Sequence, residues 1–239
     1  MNLPLVTCIM PTADRPDFVR QAIKLFVSQT YRGPKRLVIV EDGESNCASL
    51  VTAHSLEARG IDHTNAQIIE HRHLGLERYS IGEKRNIACQ IANSDEFYSG
   101  DIIAHWDDDD WHSPTRLSTQ MHAMFEANAR ICGADRLVFY DGTDAYLYQS
   151  VRPGWLAGGT LMYEKSLWRE LGGFQNKSSG EDTAFVDAAV RAGAKVATIH
   201  DESLYVAMLH GKNTELRQRD SQWGGYEADK VKKWMEART

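Results

Sequence analysis

The chain has 239 residues, of which 42% are hydrophobic and 25% charged, the composition of an ordinary globular protein that can bury a core of its own. The formal net charge of −6 disfavours a nucleic-acid partner, because phosphates call for a basic surface. The four cysteines (Cys8, Cys47, Cys89 and Cys132) contain no CxxC pair, which favours free thiols in a reducing compartment over a disulfide framework.

The first half of the chain alternates between apolar strands and amphipathic helices. The predicted strands are Leu5–Met10, Arg36–Val40, Gln67–Ile69 and Asp101–Trp106, and the predicted helices are Asp17–Gln29, Cys47–Arg59 and Glu83–Ala92. This order predicts βαβ units and a mainly parallel sheet, in which ligands bind beyond the carboxyl ends of the strands. Asp42 and the four aspartates Asp107–Asp110 each follow a strand, so we expect them at the same edge of the sheet.

The second half is less regular. The predicted elements are a helix (Thr115–Asn128), a hairpin of Arg136–Tyr140 with Tyr146–Gln149, a short strand after Gly154–Gly159, two helices (Glu164–Leu171 and Glu181–Ala192), and two strands (Lys195–Ile199 and Ser203–Leu209). Tyr226–Arg238 has the pattern of a basic amphipathic helix, either solvated or in contact with a membrane surface. No repeat or linker indicates a second domain.

The run Asp107–Asp110, called the acidic run below, is the strongest chemical signal. Adjacent like charges destabilise a fold, since each raises the pKa of the next. A solvated loop is one interpretation, but the run follows an apolar strand and is flanked by Trp106 and Trp111. Hard cations such as Mg²⁺ or Mn²⁺ prefer carboxylate oxygens and often bridge them to phosphates, so we expect a divalent metal here.

Seven short motifs follow one another along nearly the whole chain. They are Ile9–Pro16, Val40–Gly43, Lys84–Ala88, the acidic run, Gly172–Phe174, Gly180–Asp182 and His210–Thr214. In these motifs and their order the chain resembles the family 2 glycosyltransferases of the GT-A fold. The resemblance implies an α/β fold: a single Rossmann-like domain over residues 1–239, with a central, mainly parallel mixed sheet flanked by helices. Residues 1–112 would be the nucleotide-binding half, 113–222 the acceptor-side half and 223–239 a C-terminal helix.

The resemblance implies a nucleotide-sugar site on the first half. Its expected contacts are Pro11, Thr12, Arg15, Asp42, Lys84, Arg85, Asn86, Asp107 and Asp108. Two positions depart from the family's pattern: Glu41 stands where a second aspartate is usual, and Asp14 where asparagine is usual. The alternative interpretations are a turn residue for Asp42 and a solvated first helical turn for residues 84–86.

The same resemblance implies a metal site and a general base. Asp109 is the expected direct ligand, with His210 as a second one, although a lone histidine is more often structural. Asp182 is the expected base and Glu181 the reserve, yet carboxylates at a helix start are also favoured by the helix dipole. Trp111, Trp155 and Trp168 are candidates for stacking on sugar rings, and core packing explains each equally well.

Together these features predict an inverting glycosyltransferase that depends on Mn²⁺ or Mg²⁺. It would move a sugar from a nucleoside diphosphate, with a UDP-sugar as the expected donor, to a hydroxyl of a carbohydrate or another acceptor. The alternatives are a nucleotidyltransferase, which normally adds a basic glycine-rich loop near the N-terminus, and an inactive nucleotide-binding interaction protein.

The sequence also predicts the location of the protein in the cell. The N-terminus lacks the pattern of a signal peptide, and no apolar run approaches the roughly 20 residues that span a bilayer. We expect a cytoplasmic protein without a transmembrane segment, and peripheral contact with the inner face of the membrane stays open.

Overall fold

The computed structural model describes residues 3–44, 66–73, 77–92, 102–211, 213 and 221–237. The strands are β1 Val6–Thr12, β2 Lys35–Glu41, β3 Ala66–Arg72, β4 Ile102–His105, β5 Trp111–His112, β6 Ile131–Ala134, β7 Arg136–Tyr140, β8 Ala145–Gln149, β9 Met162–Glu164, β10 Val196–Ile199, β11 Tyr205–Met208 and β12 Trp223–Tyr226. The α-helices are α1 Pro16–Val27, α2 Ile81–Ala92, α3 Arg116–Ala127, α4 Lys165–Glu170, α5 Glu181–Arg191 and α6 Ala228–Glu236. The predicted helix Cys47–Arg59 lies outside the described residues.

The larger sheet has seven described strands in the order β10-β6-β9-β4-β1-β2-β3. β1 pairs in parallel with β2 and with β4, and β2 with β3. Only β9 runs against its neighbours, β4 and β6. Every residue of β2 and β4 is buried, as expected for strands covered on both faces. The prediction of a mainly parallel mixed sheet is therefore confirmed.

Helices cover both faces of this sheet. Side chains alternate between the faces along each strand, so Cys8 and Met10 of β1 pack in one cluster with α1 and α3, while Ile9 packs in another. The second cluster contains Ala88 of α2 and Phe185 of α5. The central position of β1 fixes where its carboxyl end, and the loop that follows, lie in the molecule.

A second sheet has five described strands in the order β12-β8-β7-β11-β5. The predicted hairpin is present as β7 and β8. The sequence did not indicate the short strands β5 and β6, or the parallel pairing of β7 with β11. Residues 223–226, expected to begin the C-terminal helix, form strand β12 instead, because Gly224 and Gly225 disfavour a helix and Trp223 packs its ring on Phe139.

Within the described part of the chain, no helix has the length and apolar character needed to cross a membrane.

Candidate active site

A cleft of about 750 Å³ opens beyond the carboxyl ends of β1 and β4, between the two sheets. The loop after β1, the acidic run and the start of α2 supply one side of it. The turn 158–159, the start of α5 and strands β7 and β11 supply the rest. Elements from both halves of the sequence therefore meet at the edge of the sheet at which ligands bind in such folds.

The acidic run is tied to the loop after β1. Thr12 Oγ1 donates a hydrogen bond of 2.6 Å to Asp108, and Arg15 Nη1 lies 3.1 Å from Asp108 Oδ1 and 2.9 Å from Asp109 Oδ2. His210 Nε2 lies 3.1 Å from the same Asp109 oxygen, and its ring stacks on Phe18. The structure thus brings together both predicted metal ligands and three of the predicted nucleotide contacts.

The electrostatics of this run suit a divalent cation. Burial, reinforced by repulsion from neighbouring aspartates, raises the pKa of Asp108 and of Asp109 to about 6. A cation bound to these oxygens would offset that repulsion, and carboxylate donors suit both Mn²⁺ and Mg²⁺. The described residues contain no group of three or more His, Cys, Asp or Glu side chains arranged as ligands.

Asp110 contacts strand β11 of the second sheet. Its carboxylate accepts a hydrogen bond from the hydroxyl of Tyr205 and one of 2.8 Å from the backbone N–H of Met208. These contacts tie the acidic run to β11, the strand that leads to His210. Asp110 therefore links the run to the segment carrying the second predicted ligand.

The two carboxylates at the start of α5 have different surroundings. Glu181 is 4% exposed and forms an ion pair with Arg85, which also lies 3.3 Å from Asp107. Asp182 lines the cleft, where its Oδ1 accepts from the N–H of Thr183. Both carboxylates line the cleft, but Arg85 pairs with Glu181, whereas Asp182 is the more exposed of the two.

Asp42 lies behind the cleft rather than on its surface. Its fully buried carboxylate is 2.6 Å from Lys84 Nζ and accepts a 2.7 Å hydrogen bond from the N–H of Tyr79. Lys84 itself lines the cleft and also donates to the carbonyl of Thr12. In this arrangement Asp42 positions Lys84, and a direct contact between Asp42 and a nucleotide base would require that ion pair to open.

Asn86, predicted as a nucleotide contact, is not among the residues that line the cleft. It faces away from the cleft, where its side-chain amide donates to the carbonyl of Phe174 and accepts from Phe174 N–H and Trp168 Nε1. These three hydrogen bonds join α2 to α4 and to the loop that follows α4. The residues around Asn86 in the sequence do not indicate this contact, because its partners lie more than 80 residues further along the chain.

We expect Asn86→Ala to lower the free energy of unfolding by about 2 kcal/mol, because it leaves buried donors and an acceptor of Phe174 and Trp168 without partners. Nucleotide affinity should stay within about twofold of the wild-type value. Urea unfolding and nucleotide titration measure the two quantities. Asn176→Ala, at an exposed asparagine, is the matched control. A weaker nucleotide affinity without loss of stability would restore Asn86 to the binding site.

Arg116, in the first turn of α3, was not predicted as a site residue. Its guanidinium is 1% exposed and donates 2.9 Å hydrogen bonds to the carbonyls of His105 and Gly159. It also contacts His112, whose other ring nitrogen lies 3.3 Å from the carbonyl of Asp107. Arg116 thus holds the chain before and after the acidic run, together with the 158–159 turn.

Arg78 also lines the cleft and was not predicted. It pairs with Asp14, a residue with a φ of 54° in the loop after β1. Asp14 tolerates this left-handed conformation better than most residues. Its carboxylate places a fourth basic group beside Arg15, Lys84 and Arg85.

Comparison with known proteins agrees with this architecture. Residues 7–194 match glycosyl transferase family 2, and since this match covers well over half of the chain, the chain belongs to that family. A comparison with curated proteins gave no significant match.

Solved structures show which fold the family members share. S. aureus TarS in complex with UDP-GlcNAc is similar with a TM-score of 0.66 and 15% identity, covering 88% of this chain and 60% of that one. The full TarS structure gives a TM-score of 0.63 at 15% identity, over 87% of this chain and 37% of that one. The mannosyltransferase PcManGT from Pyrobaculum calidifontis, in complex with GDP-Man and Mn²⁺, gives 0.59 at 16% identity, over 85% and 56%. The fold is therefore that of the GT-A glycosyltransferases, and this chain spans less than two thirds of the length of each of these neighbours.

Proposed function

We propose that the protein is an inverting glycosyltransferase that moves a sugar from a nucleoside diphosphate donor to an acceptor hydroxyl with the help of Mn²⁺ or Mg²⁺. The observation that carries this proposal is that one cleft contains both the acidic run and Asp182. A cation site and a separate carboxylate base are what transfer between a diphosphate and a hydroxyl needs. The resemblance to structures bound to UDP, UDP-GlcNAc and GDP-Man supports a nucleotide-sugar donor, and we take UDP as the donor nucleotide.

The donor side is the basic side of the cleft. Arg15, Arg78, Lys84 and Arg85 line it, beside Pro11 and Thr12. In the structure Arg15 bridges Asp108 and Asp109. A cation at Asp109 would replace Arg15 as the partner of that carboxylate, and Arg15 could then pair with the diphosphate. Asp107 and Asp108 would lie on the ribose side.

Asp109 and His210 would hold the metal. When bound, the cation acts as a Lewis acid that neutralises the charge developing on the leaving diphosphate. Asp110 would not take part directly, since Tyr205 and Met208 already engage both of its oxygens. Its contribution would be to hold the acidic run and the segment that carries His210 in a fixed relative position.

Asp182 would remove the proton from the acceptor hydroxyl as the oxygen attacks the anomeric carbon. Attack from the side of the ring opposite the diphosphate inverts the configuration at that carbon. Burial raises the pKa of Glu181, while Arg85 acts in the opposite direction. Because Glu181 is held by Arg85, it is the reserve candidate for the base, and Asp182 is the assignment we prefer.

We further propose a cytoplasmic location, with peripheral membrane contact as an addition to be tested. Cys8, Cys89 and Cys132 are buried, free thiols, and burial raises the pKa of each to about 12. Buried thiols of this kind are unreactive and need no oxidising environment.

The metal proposal predicts that UDP binds about tenfold tighter or more with Mn²⁺ than with a chelator, because the cation bridges carboxylate and diphosphate. Isothermal titration calorimetry with UDP, GDP and ADP, each with Mn²⁺, Mg²⁺ or EDTA, measures this. The control is uridine, which has no phosphate and should show no dependence on metal. Equal affinity with and without metal for every diphosphate would exclude the bridge.

A further inference from the structure

The two sides of the cleft differ in charge. The four basic side chains that line it, Arg15, Arg78, Lys84 and Arg85, come from the loop after β1 and from residues 78–85. Leu137, Phe139, Trp155, Ala207 and Leu209 are apolar lining residues from β7, β11 and the segments beside them, and are called the apolar wall below. Among the described residues that line the cleft, none on this wall is basic.

Trp155 is the more exposed of the two aromatic residues on the apolar wall, since Phe139 is only 4% exposed. Of the three tryptophans singled out in the sequence, Trp111 is 3% and Trp168 is 8% exposed, and both pack in the core. Trp155 is half-buried and lines the cleft. Its ring meets Tyr148 edge-on at 5.3 Å, and Tyr148 in turn contacts Trp223 at 5.4 Å. These neighbours support one edge of the indole and limit its movement.

Trp155 lies close in sequence to a turn that packs against the proposed base, Asp182. Gly158, three residues later, lies so close to Asp182 that an added Cβ would be 1.6 Å from its Oδ2. His105 Nδ1 contacts the carbonyl of Gly158 at 2.7 Å, and Arg116 contacts that of Gly159 at 2.9 Å. Contacts from β4 and α3 therefore hold the turn between the indole and the base in place.

We propose that Trp155 is the platform for the acceptor, and that the acceptor presents an uncharged sugar ring at this position; the inference rests on the proposed glycosyltransferase function. A pyranose packs its C–H face on an indole, which leaves its hydroxyls free to reach Asp182. A phosphate or carboxylate on that ring would lie beside the carboxylate of Asp182, and the wall residues that the structure describes carry no cation to offset this repulsion.

The proposed transfer breaks one bond at the anomeric carbon and forms another. The bond between the anomeric carbon and the diphosphate oxygen breaks, and a bond from that carbon to the acceptor oxygen forms. The acceptor proton passes to Asp182, and the nucleoside diphosphate leaves with the bonding electron pair. Trp155 takes no part in these steps and acts only by holding the acceptor.

The test uses methyl glycosides of neutral hexoses, the matched methyl uronides and the matched hexose 6-phosphates as acceptor probes, with Mn²⁺ and a panel of nucleotide sugars. Products are identified by mass spectrometry, and saturation-transfer NMR measures binding of each probe in the presence of UDP and Mn²⁺. We expect neutral glycosides to bind and to be glycosylated, and the charged probes to do neither.

Three variants then locate the platform. Trp155→Leu should raise the KM for a neutral glycoside about tenfold or more, while Trp155→Phe keeps an aromatic face and should raise it about threefold or less. UDP affinity and slow hydrolysis of the donor without acceptor should not change in either. Trp234→Leu, at a tryptophan of α6 outside the cleft lining, is the control and should leave all three quantities unchanged.

Several results would overturn the proposal. Charged probes used as well as neutral ones, or no neutral glycoside bound by the wild type, would contradict the substrate class. An equal loss of UDP affinity in Trp155→Leu would place the indole in the donor site. If no nucleotide sugar is hydrolysed, the proposed function fails; a neutral glycoside that binds the wild type but not Trp155→Leu would still support the platform.

Discussion

Asp182→Asn is expected to lower kcat by about 10²–10⁴-fold, the usual consequence of losing a general base, with nearly unchanged affinity for the donor nucleotide. Asparagine keeps the shape of the side chain and its contact with the N–H of Thr183, but it cannot accept the acceptor proton. Kinetics at saturating donor and calorimetry with UDP and Mn²⁺ measure the two quantities.

Two other variants serve as comparisons for Asp182→Asn. Asp187→Asn changes an exposed aspartate of the same helix that pairs with Arg152, so kcat should stay within about twofold of the wild-type value. His210→Ala should behave differently from Asp182→Asn, weakening Mn²⁺ and UDP binding together. If Asp182→Asn weakened UDP binding as much as it slowed turnover, Asp182 would belong to the donor site. Glu181 would then be the candidate base.

Asp109→Asn is expected to abolish measurable transfer and to remove most of the effect of Mn²⁺ on UDP affinity. The substitution takes away the carboxylate that lies nearest to both Arg15 and His210. The protein should remain folded, with a melting temperature equal to or above that of the wild type, because one of several adjacent like charges is lost. Differential scanning fluorimetry and UDP titration with and without Mn²⁺ check both parts.

The matched control is Asp17→Asn, at an exposed aspartate on α1 that should affect neither property. Asp107→Asn and Asp108→Asn complete the series. Activity that persists in Asp109→Asn but is lost in one of these variants would show that the direct ligand lies elsewhere in the acidic run.

The sequence predicted those features that depend on local pattern. β1, β2 and β4 are apolar runs that end at charged or turn residues, and their buried positions follow from that pattern. The acidic run follows β4 directly, so the parallel sheet is sufficient to place it at the functional edge. Family resemblance then pointed to Asp182 and His210, which the structure brings to the cleft and to the acidic run.

The features that were missed depend on contacts between distant parts of the chain. β5 has two residues and β6 has four, too few to show a periodicity, and β5 is a strand only because β11 pairs with it. The same reason applies to single side chains. Asp42 was predicted as a nucleotide contact from the end of β2, and the sequence did not indicate that its carboxylate pairs with Lys84 of α2.

If the protein is the glycosyltransferase proposed above, it releases a nucleoside diphosphate from a sugar donor in a reaction that needs the acidic run. The most direct measurement is a screen of nucleotide sugars with Mn²⁺ and no acceptor, in which the released nucleoside diphosphate is quantified for the wild type and for Asp109→Asn. We expect slow hydrolysis of a UDP-sugar by the wild type and none by the variant. The proposed function would be contradicted if the wild type hydrolysed no nucleotide sugar and bound no nucleoside diphosphate. Hydrolysis of the donor by Asp109→Asn as fast as by the wild type would contradict the proposed role of the acidic run.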